Sequence, residues 1–323
     1  MNAFTRRGLL ALAIACSAVS GAFAQSYPAK PVRIVVAYPP GGATDVVARK
    51  LAQKLTEQTG QSFFVENRPG ATGTIGTAQV ANAAPDGYTL LAIENTFSIY
   101  PFVFKSLPFD HAKALKPISS LYMVPVLLAA KNDSSGKTLA DVIAAAKKDA
   151  DTVTFGSGGA GSAPHFAAEF FQQAAGVTLR HIPYKGAGDA MTGLIGSQID
   201  LLFISTPSAA AQIKGGRIRA LAVSGEGRIA GLDGVPTFKE AGLPAFSVFN
   251  WTGIAAPANT PADVVEKLNA EIIKALESAD MKAFAETLNA QPGPRTPESF
   301  AALIREETAR WAPIADKAGI EKQ

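Results

Sequence analysis

The chain has 323 residues, of which 47% are apolar and 18% charged, and its formal net charge is +3. That balance excludes a disordered chain, and with no basic patch and no acidic run it excludes nucleic acid and membrane surfaces as main partners. The length leaves room for two domains.

The first segment reads as an export signal. Arg6 and Arg7 precede an apolar stretch from Gly8 to Ser20, and Ala22-Phe23-Ala24 forms an A-x-A cleavage site before Gln25. The stretch is shorter than the ~20 residues that span a bilayer, and Thr5-Arg6-Arg7-Gly8-Leu9-Leu10 also resembles a twin-arginine signal. The expected mature protein therefore starts at Gln25 and lies in the periplasm. Cys16, the only cysteine, falls in this segment. The mature chain then holds no disulfide, thiol nucleophile or thiolate metal site, and a large core must stabilise it.

From Val32 onward, strand and helix patterns alternate. Val32–Ala37 is a short apolar run that ends at Tyr38-Pro39-Pro40-Gly41-Gly42, and a helix follows from Thr44 with Val47, Leu51 and Leu55 on one stripe and Gly60 as its stop. Phe63–Glu66 reads as a strand, Thr72–Ala83 as a helix, and Tyr88–Ile93 as a strand after the turn Pro85-Asp86-Gly87. A second block repeats the plan. Thr138 caps a helix reaching about Ala150, with Asp141 three residues in; a strand at Val153–Phe155, a helix at Ser162–Ala175 and a strand at Thr178–Pro183 follow. Ala187–Ile195 is the next helix, and Ile199–Ile204 and Ile218–Val223 are strands. The last third is helical, with Thr260-Pro261 and Thr296-Pro297 as helix starts and a stripe of Val264, Leu268, Ile272 and Leu276.

Such βαβ alternation predicts an α/β protein with two Rossmann-like domains. Leu121–Ala130 and Ser247–Ile254 are the places where the chain is expected to cross between them. The expected division is a signal peptide over 1–24, a first domain of 25–126 and 252–323, and a second domain of 127–251.

The most informative feature is a pair of glycine-rich turns between strand and helix, one at Tyr38–Asp45 and one at Gly156–Ser162. Glycines let the backbone approach a ligand, and the helix that follows offers unpaired N–H groups and a positive dipole end, which makes an anion site without cationic side chains. In open α/β sheets both turns would lie at the carboxyl ends of strands, where ligands bind. Replacing Gly42 or Gly158 by valine is expected to bring a side chain to where the backbone must meet an anion.

Competing chemistry finds less support. Gly156-Ser157-Gly158-Gly159-Ala160-Gly161 matches the dinucleotide fingerprint, but the next strand ends His181-Ile182-Pro183-Tyr184-Lys185, with no carboxylate at its end until Asp189. An NAD(P)-dependent oxidoreductase is the enzyme-class alternative that this match keeps open. Gly136-Lys137-Thr138 is half a P-loop, and no G-x-S-x-G elbow occurs. His111, His165 and His181 lie in different elements without metal-ligand spacing, and His165 with Glu169 reads as a local helix pair. Trp251 is either a cleft aromatic or plain core. No cofactor, metal or catalytic residue is expected.

Several motifs in register resemble one family across the whole mature chain. They are Tyr38–Asp45 with Ala48-Arg49, Glu66-Asn67-Arg68-Pro69-Gly70-Ala71, Pro85-Asp86-Gly87-Tyr88-Thr89, Pro101–Asp110, Gly156–His165 and His181-Ile182-Pro183-Tyr184-Lys185-Gly186; Ala220-Leu221-Ala222-Val223, Pro236-Thr237 and Ala256-Pro257 complete the set. Together they resemble the periplasmic receptors of tripartite tricarboxylate transporters, the Bug-type (TctC-like) solute-binding proteins. The resemblance implies a Venus-flytrap fold, a carboxylate bound in the interdomain cleft and hand-off to membrane permease subunits, by a receptor that is not an enzyme and is expected to be a monomer. By position match it points to Pro40, Gly41, Gly42, Thr44 and Asp45 in the first turn and to Ser157, Gly158, Gly161, Ser162 and His165 in the second. It adds Glu94, Asn95 and Thr96 after the third strand, Tyr184 and Lys185, and Ser205, Thr206 and Pro207. A sensor docking on a signalling partner would need the same closed form, so the transport and sensing roles both stay open.

Overall fold

The computed structural model describes residues 27–132 and 138–322. The export signal and Cys16 lie outside them, as do Gly136 and Lys137 of the half P-loop.

The first half is built on three parallel strands, β1 (Val32–Val36), β2 (Phe63–Asn67) and β3 (Thr89–Glu94), with β1 in the centre. Alternation along β1 sets its two layers. Val32, Ile34 and Val36 pack on helix α1 (Ala43–Thr59) through Val47, Leu51 and Leu55, whereas Val35 faces the opposite layer. Gly60 closes α1 in the left-handed conformation (φ 71°), donating its N–H to Thr56 O. The helix expected over Thr72–Ala83 is shorter: residues Ala71–Gly73 form a tight 3₁₀ turn with Thr72 at φ 54°, and α2 spans Thr74–Ala81. Gly73 adopts φ 93°, and a Cβ there would lie 2.7 Å from the Tyr100 hydroxyl and 3.0 Å from that of Tyr38. The glycine thus lets two tyrosine hydroxyls approach the backbone.

After a 3₁₀ turn (Asn95–Ile99) and the short helix α3 (Tyr100–Val103), the chain enters β4 (Leu115–Lys131), which belongs to both halves. Leu115–Pro125 pairs antiparallel with β9 (Phe249–Pro257), which itself pairs antiparallel with β3. From Val126 onward, the same strand pairs with β7 (Leu201–Ser205) and β8 (Ile218–Val223). The two expected crossing segments are therefore one pair of adjacent strands, and the sheet passes from the first half into the second without a break, in the order β2-β1-β3-β9-β4-β7.

The second half repeats the plan with β5 (Thr154–Ser157) and β6 (Arg180–Pro183) in parallel pairing. Its helices are α4 (Leu139–Lys148), α5 (Ala163–Ala175), α6 (Ala187–Ile195) and α7 (Thr206–Lys214). Thr138 caps α4 as expected: its side chain accepts from Asp141 N–H, and the Asp141 carboxylate accepts from Thr138 N–H. Val126, Leu128 and Ala130 meet Phe166 and Phe171 of α5, while Leu127 and Ala129 face the layer of α6 and α7. Helix α7 is absent from the sequence reading although Thr206-Pro207 has the same form as the helix starts recognised elsewhere, with Pro207 in its first turn.

The C-terminal helices are α8 (Ala262–Glu277), α9 (Ala279–Thr287) and α10 (Pro297–Ala318); between α9 and α10 a two-residue strand, β10 (Gln291–Pro292), pairs with β4. Thr296 caps α10, but Thr260 does not cap α8; its hydroxyl donates back to Pro257 O at 2.8 Å. Helix α10 runs along both halves. Phe300 and Ile304 join the first-half layer around Trp251, while Trp311, Ile314 and Ala315 join the second-half core around Phe166. Between them the buried Glu307 pairs with Arg310 at 2.7 Å, and burial pushes its carboxyl above the ordinary range.

Candidate functional site

Between the halves lies a cavity of about 670 Å³. Its floor is the β4–β9 crossing, through Tyr122, Val124, Asn250 and Trp251, and its walls are the carboxyl ends of strands from both halves. Four helix starts open into it. Ala43 and Thr44 begin α1, Ser162 and Ala163 begin α5, Gly186 and Ala187 begin α6, and Ser205 with Pro207 begins α7. Each start carries N–H groups without an intrahelical partner and the positive end of a helix dipole. Among the described residues no Lys, Arg or His lines the cavity.

The two glycine turns share one internal brace. Gly41 N–H donates to Asp45 Oδ2 at 2.9 Å, and Gly161 N–H donates to His165 Nδ1 at 3.0 Å. In each case the acceptor stands four residues on, in the first turn of the helix, and the glycine is left-handed (φ 87° and 77°). Asp45 also accepts from Arg49 Nε at 3.0 Å and from Asn67 Nδ2 at 2.8 Å. Burial works against its charge, but the bonds from Arg49, Gly41 and Asn67 win and hold its carboxyl below the ordinary value.

The second brace is larger. The His165 ring stacks on His181 at 4.0 Å between centroids, and His181 stacks in turn on Phe155 at 4.7 Å. His181 Nε2 lies 2.7 Å from Ser157 Oγ, which also accepts from Gly159 N–H at 3.2 Å. Ser162 Oγ donates to Gly159 O at 2.7 Å, so the turn is tied from both sides. Burial first, and the neighbouring His165 second, push the His181 imidazole down to about 4. Glu169, 3.5 Å from His165 Nε2, is the local helix pair expected from the sequence. No group of three or more metal-ligating side chains occurs among the described residues.

Of the residues singled out from the sequence, Gly41, Thr44, Glu94, Asn95, Thr96, Gly158, Ser162, Ser205 and Pro207 line the cavity. The others do not. Asp45, Ser157, Gly161 and His165 are buried beneath the turns they brace, and Pro40 and Gly42 face solvent beside the first turn. A Cβ on Gly42 would meet only Pro39 O at 3.7 Å. Tyr184 packs with the α6 layer and its hydroxyl donates to Gln198 Oε1 at 3.4 Å; Lys185 is exposed. Thr206 is wholly buried. The sequence reading missed the lining residues Tyr38, Val46, Val47, Thr72, Gly186 and Ala187. Only Gly186 carried a usable signal, as the residue before a recognised helix. Trp251 fills both roles considered for it: it is 1% exposed and packs edge-on against Phe300, yet it forms part of the cavity floor.

Glu94, the one charged side chain in the lining, ends β3. Thr44 Oγ1 donates to it at 3.3 Å, and the Tyr38 hydroxyl hydrogen-bonds it as well. Burial and the Glu94 carboxylate push the Tyr38 phenol well above its ordinary range. Behind it, Asn95 Nδ2 donates to Asn250 Oδ1 across the β3–β9 seam at 3.2 Å.

Residues 47–320 match the family model described as the tripartite tricarboxylate transporter family receptor, TctC. The chain belongs to this receptor family. BugT of Bordetella pertussis is 36% identical over 299 residues, covering 92% of this chain and 91% of BugT. Among solved structures, the periplasmic binding protein BugD superposes with a TM-score of 0.79 at 36% identity, over 92% of this chain and all of BugD. MatC from Rhodopseudomonas palustris, solved with malate, gives 0.78 at 31% identity over 90% of this chain and all of MatC. An R. palustris protein solved with adipate gives 0.81 at 30% identity over 92% of this chain and all of its own. This TctC-family chain thus has the two-lobed flytrap fold of periplasmic binding proteins, and its family is one of solute-binding receptors. No helix among its described residues is long and apolar enough to cross a membrane.

Proposed function

We propose that this receptor captures a small carboxylate in the cleft and delivers it to tripartite tricarboxylate-type permease subunits from the periplasm, as a monomer. The observation that carries the reading is the convergence of four helix starts on one cavity with no cationic side chain in its lining. Backbone N–H groups and helix dipoles are then the anion-binding equipment. Ala43 and Thr44 on one side and Gly158, Ala163 and Ala187 on the other supply the N–H groups, while those of Gly41 and Gly161 are spent on the braces. The malate and adipate bound to two related receptors support a carboxylate as the ligand class.

In this reading the halves are domains of residues 25–126 with 252–323 and of 127–251, and the cleft closes on the ligand because the closed form adds contacts from the second half. The mature chain begins at Gln25 after removal of the signal peptide. The deciding experiment is a thermal-shift and calorimetry panel of mono- and dicarboxylates, amino acids and aromatic acids. A ligand at 100 times its Kd raises stability by ~2.7 kcal/mol. Binding should persist in chelator and fail for the ligand's methyl ester. Failure of every carboxylate, or stoichiometric NAD binding, would overturn the reading.

A further inference from the structure

The cavity is unusual in its charge. It is a cleft built around anion-binding helix starts, and the one charged side chain in its lining is an acid, Glu94. Among the described residues Glu94 takes part in no salt bridge, and its two protein partners, the hydroxyls of Thr44 and Tyr38, are neutral. Thr44 is also the second residue of α1, whose N-terminus opens into the same space. A ligand carboxylate seated on that helix start therefore lies close to the Glu94 carboxylate. Two like charges so close in a cleft that sheds water on closing repel each other, unless a cation stands between them.

From this juxtaposition we infer that the ligand carries an ammonium group beside its carboxylate, and that Glu94 is the residue that selects for it. The inference rests on the carboxylate-capture reading above and narrows it to α-amino acids. In an α-amino acid the ammonium is on the carbon next to the carboxylate. The carboxylate takes the N–H groups of the turns, and the ammonium donates to Glu94 within the same small space. The rest of the lining fits the remaining part of such a molecule. Val46, Val124, Val126, Phe203 and Leu288 offer apolar walls. The favoured side chain is accordingly uncharged.

The test uses pairs of acids that differ only in the amino group: leucine with 4-methylpentanoate, phenylalanine with 3-phenylpropionate, and aspartate with succinate. Calorimetry on the mature protein should show, for leucine or phenylalanine, at least tenfold tighter binding than for its amino-free partner, which is about 1.4 kcal/mol. Aspartate and succinate should bind more weakly than the apolar amino acids. Glu94→Gln, which keeps shape and hydrogen bonding but removes the charge, should erase the amino preference while leaving the amino-free acid bound as before or tighter. Equal or tighter binding of the amino-free acids by the wild type overturns this inference and leaves carboxylate capture standing. An amino preference that persists in Glu94→Gln overturns the role of Glu94. If no member of any pair binds, this inference falls, and the capture reading falls with it only if every acid of the wider panel also fails. The wild-type comparison needs no variant, so it decides the ligand class even if Glu94→Gln folds poorly.

Discussion

Acid should loosen this protein through His181 before it protonates Asp45, Glu66 and Asp200, whose ion-paired carboxylates are held below their ordinary values. The ring is half-buried, stacked between Phe155 and His165, and held down to about 4 against an ordinary 6.5. The unfolded chain thus binds a proton near pH 6.5 that the folded chain refuses until about pH 4, so between those values the unfolded state holds more protons and stability rises with pH. Stability from this source is complete above pH 6.5, falls as the pH drops toward 4, and falls no further below it. The gap, at 1.36 kcal/mol per pH unit, sets an upper limit of ~3.4 kcal/mol. Water screening at a half-buried ring brings the expected loss to about 2 kcal/mol.

The measurement is urea unfolding at several pH values between 7 and 4.5, beside an NMR titration of the His181 ring. His111, also lowered by burial, adds a loss of the same sign, so His181→Phe is the control that isolates the term. It keeps the aromatic stack and removes the titrating group, and its stability should depend visibly less on pH over this window. Asp45, Glu66 and Asp200 are held below their ordinary values, so their losses begin at lower pH. A His181 ring that titrates near 6.5, or a His181→Phe protein with the wild-type pH dependence, would refute the reasoning.

Four further substitutions probe the turns and the scaffold. Gly158→Val should weaken carboxylate binding at least tenfold in calorimetry, because a Cβ there lies 3.2 Å from Ala187 N and 3.4 Å from Gly186 C, backbone that forms the start of α6; Gly42→Val, with only Pro39 O nearby, should bind within about twofold of wild type. Gly161→Ala should lower the urea stability by about 1–2 kcal/mol, since it forces a side chain into the left-handed region and against the two Val103 methyls at 3.0 Å. Thr138→Ala removes a capping box far from the cleft and should cost about 1 kcal/mol of stability with unchanged ligand affinity.

The alternation of strands and helices was legible because each depends on local patterning: the Val47, Leu51, Leu55 stripe, the Gly60 stop and the Thr138 capping box all act within one element. The elements that were misread depend on context. Thr260 looks like a cap from its neighbours, but its hydroxyl is closer to Pro257 O. The true start of α2 is set by the turn at Thr72 and Gly73, which exists to let Tyr38 and Tyr100 come near. In the site, turn positions were legible as glycines, whereas the side of the turn each residue faces was not. That is why Asp45 and His165 pass for ligand contacts in sequence and prove to be braces. Val46 has no signature at all, because only the meeting of the two halves puts that exposed position of α1 on the cavity.

The shared brace explains how two halves with different sequences present the same kind of surface. A glycine turn ahead of a helix is flexible unless its own N–H groups are tied, and a mobile turn would lose entropy on binding an anion. Gly41 and Gly161 each give up one N–H to a side chain four residues on, which fixes the turn ahead of the cavity-lining residues Ala43, Thr44 and Ala163, whose N–H groups have no intrahelical partner. The acceptors differ in kind. Asp45, stabilised by Arg49 and Asn67, remains a carboxylate over a wide pH range. His165 accepts only while Nδ1 is bare, and its stacked neighbour His181 is kept neutral by burial. The brace of the first turn is thus the one that persists over the wider pH range. The second turn is tied through Ser157 to the His181 imidazole, and acid acts on that brace first.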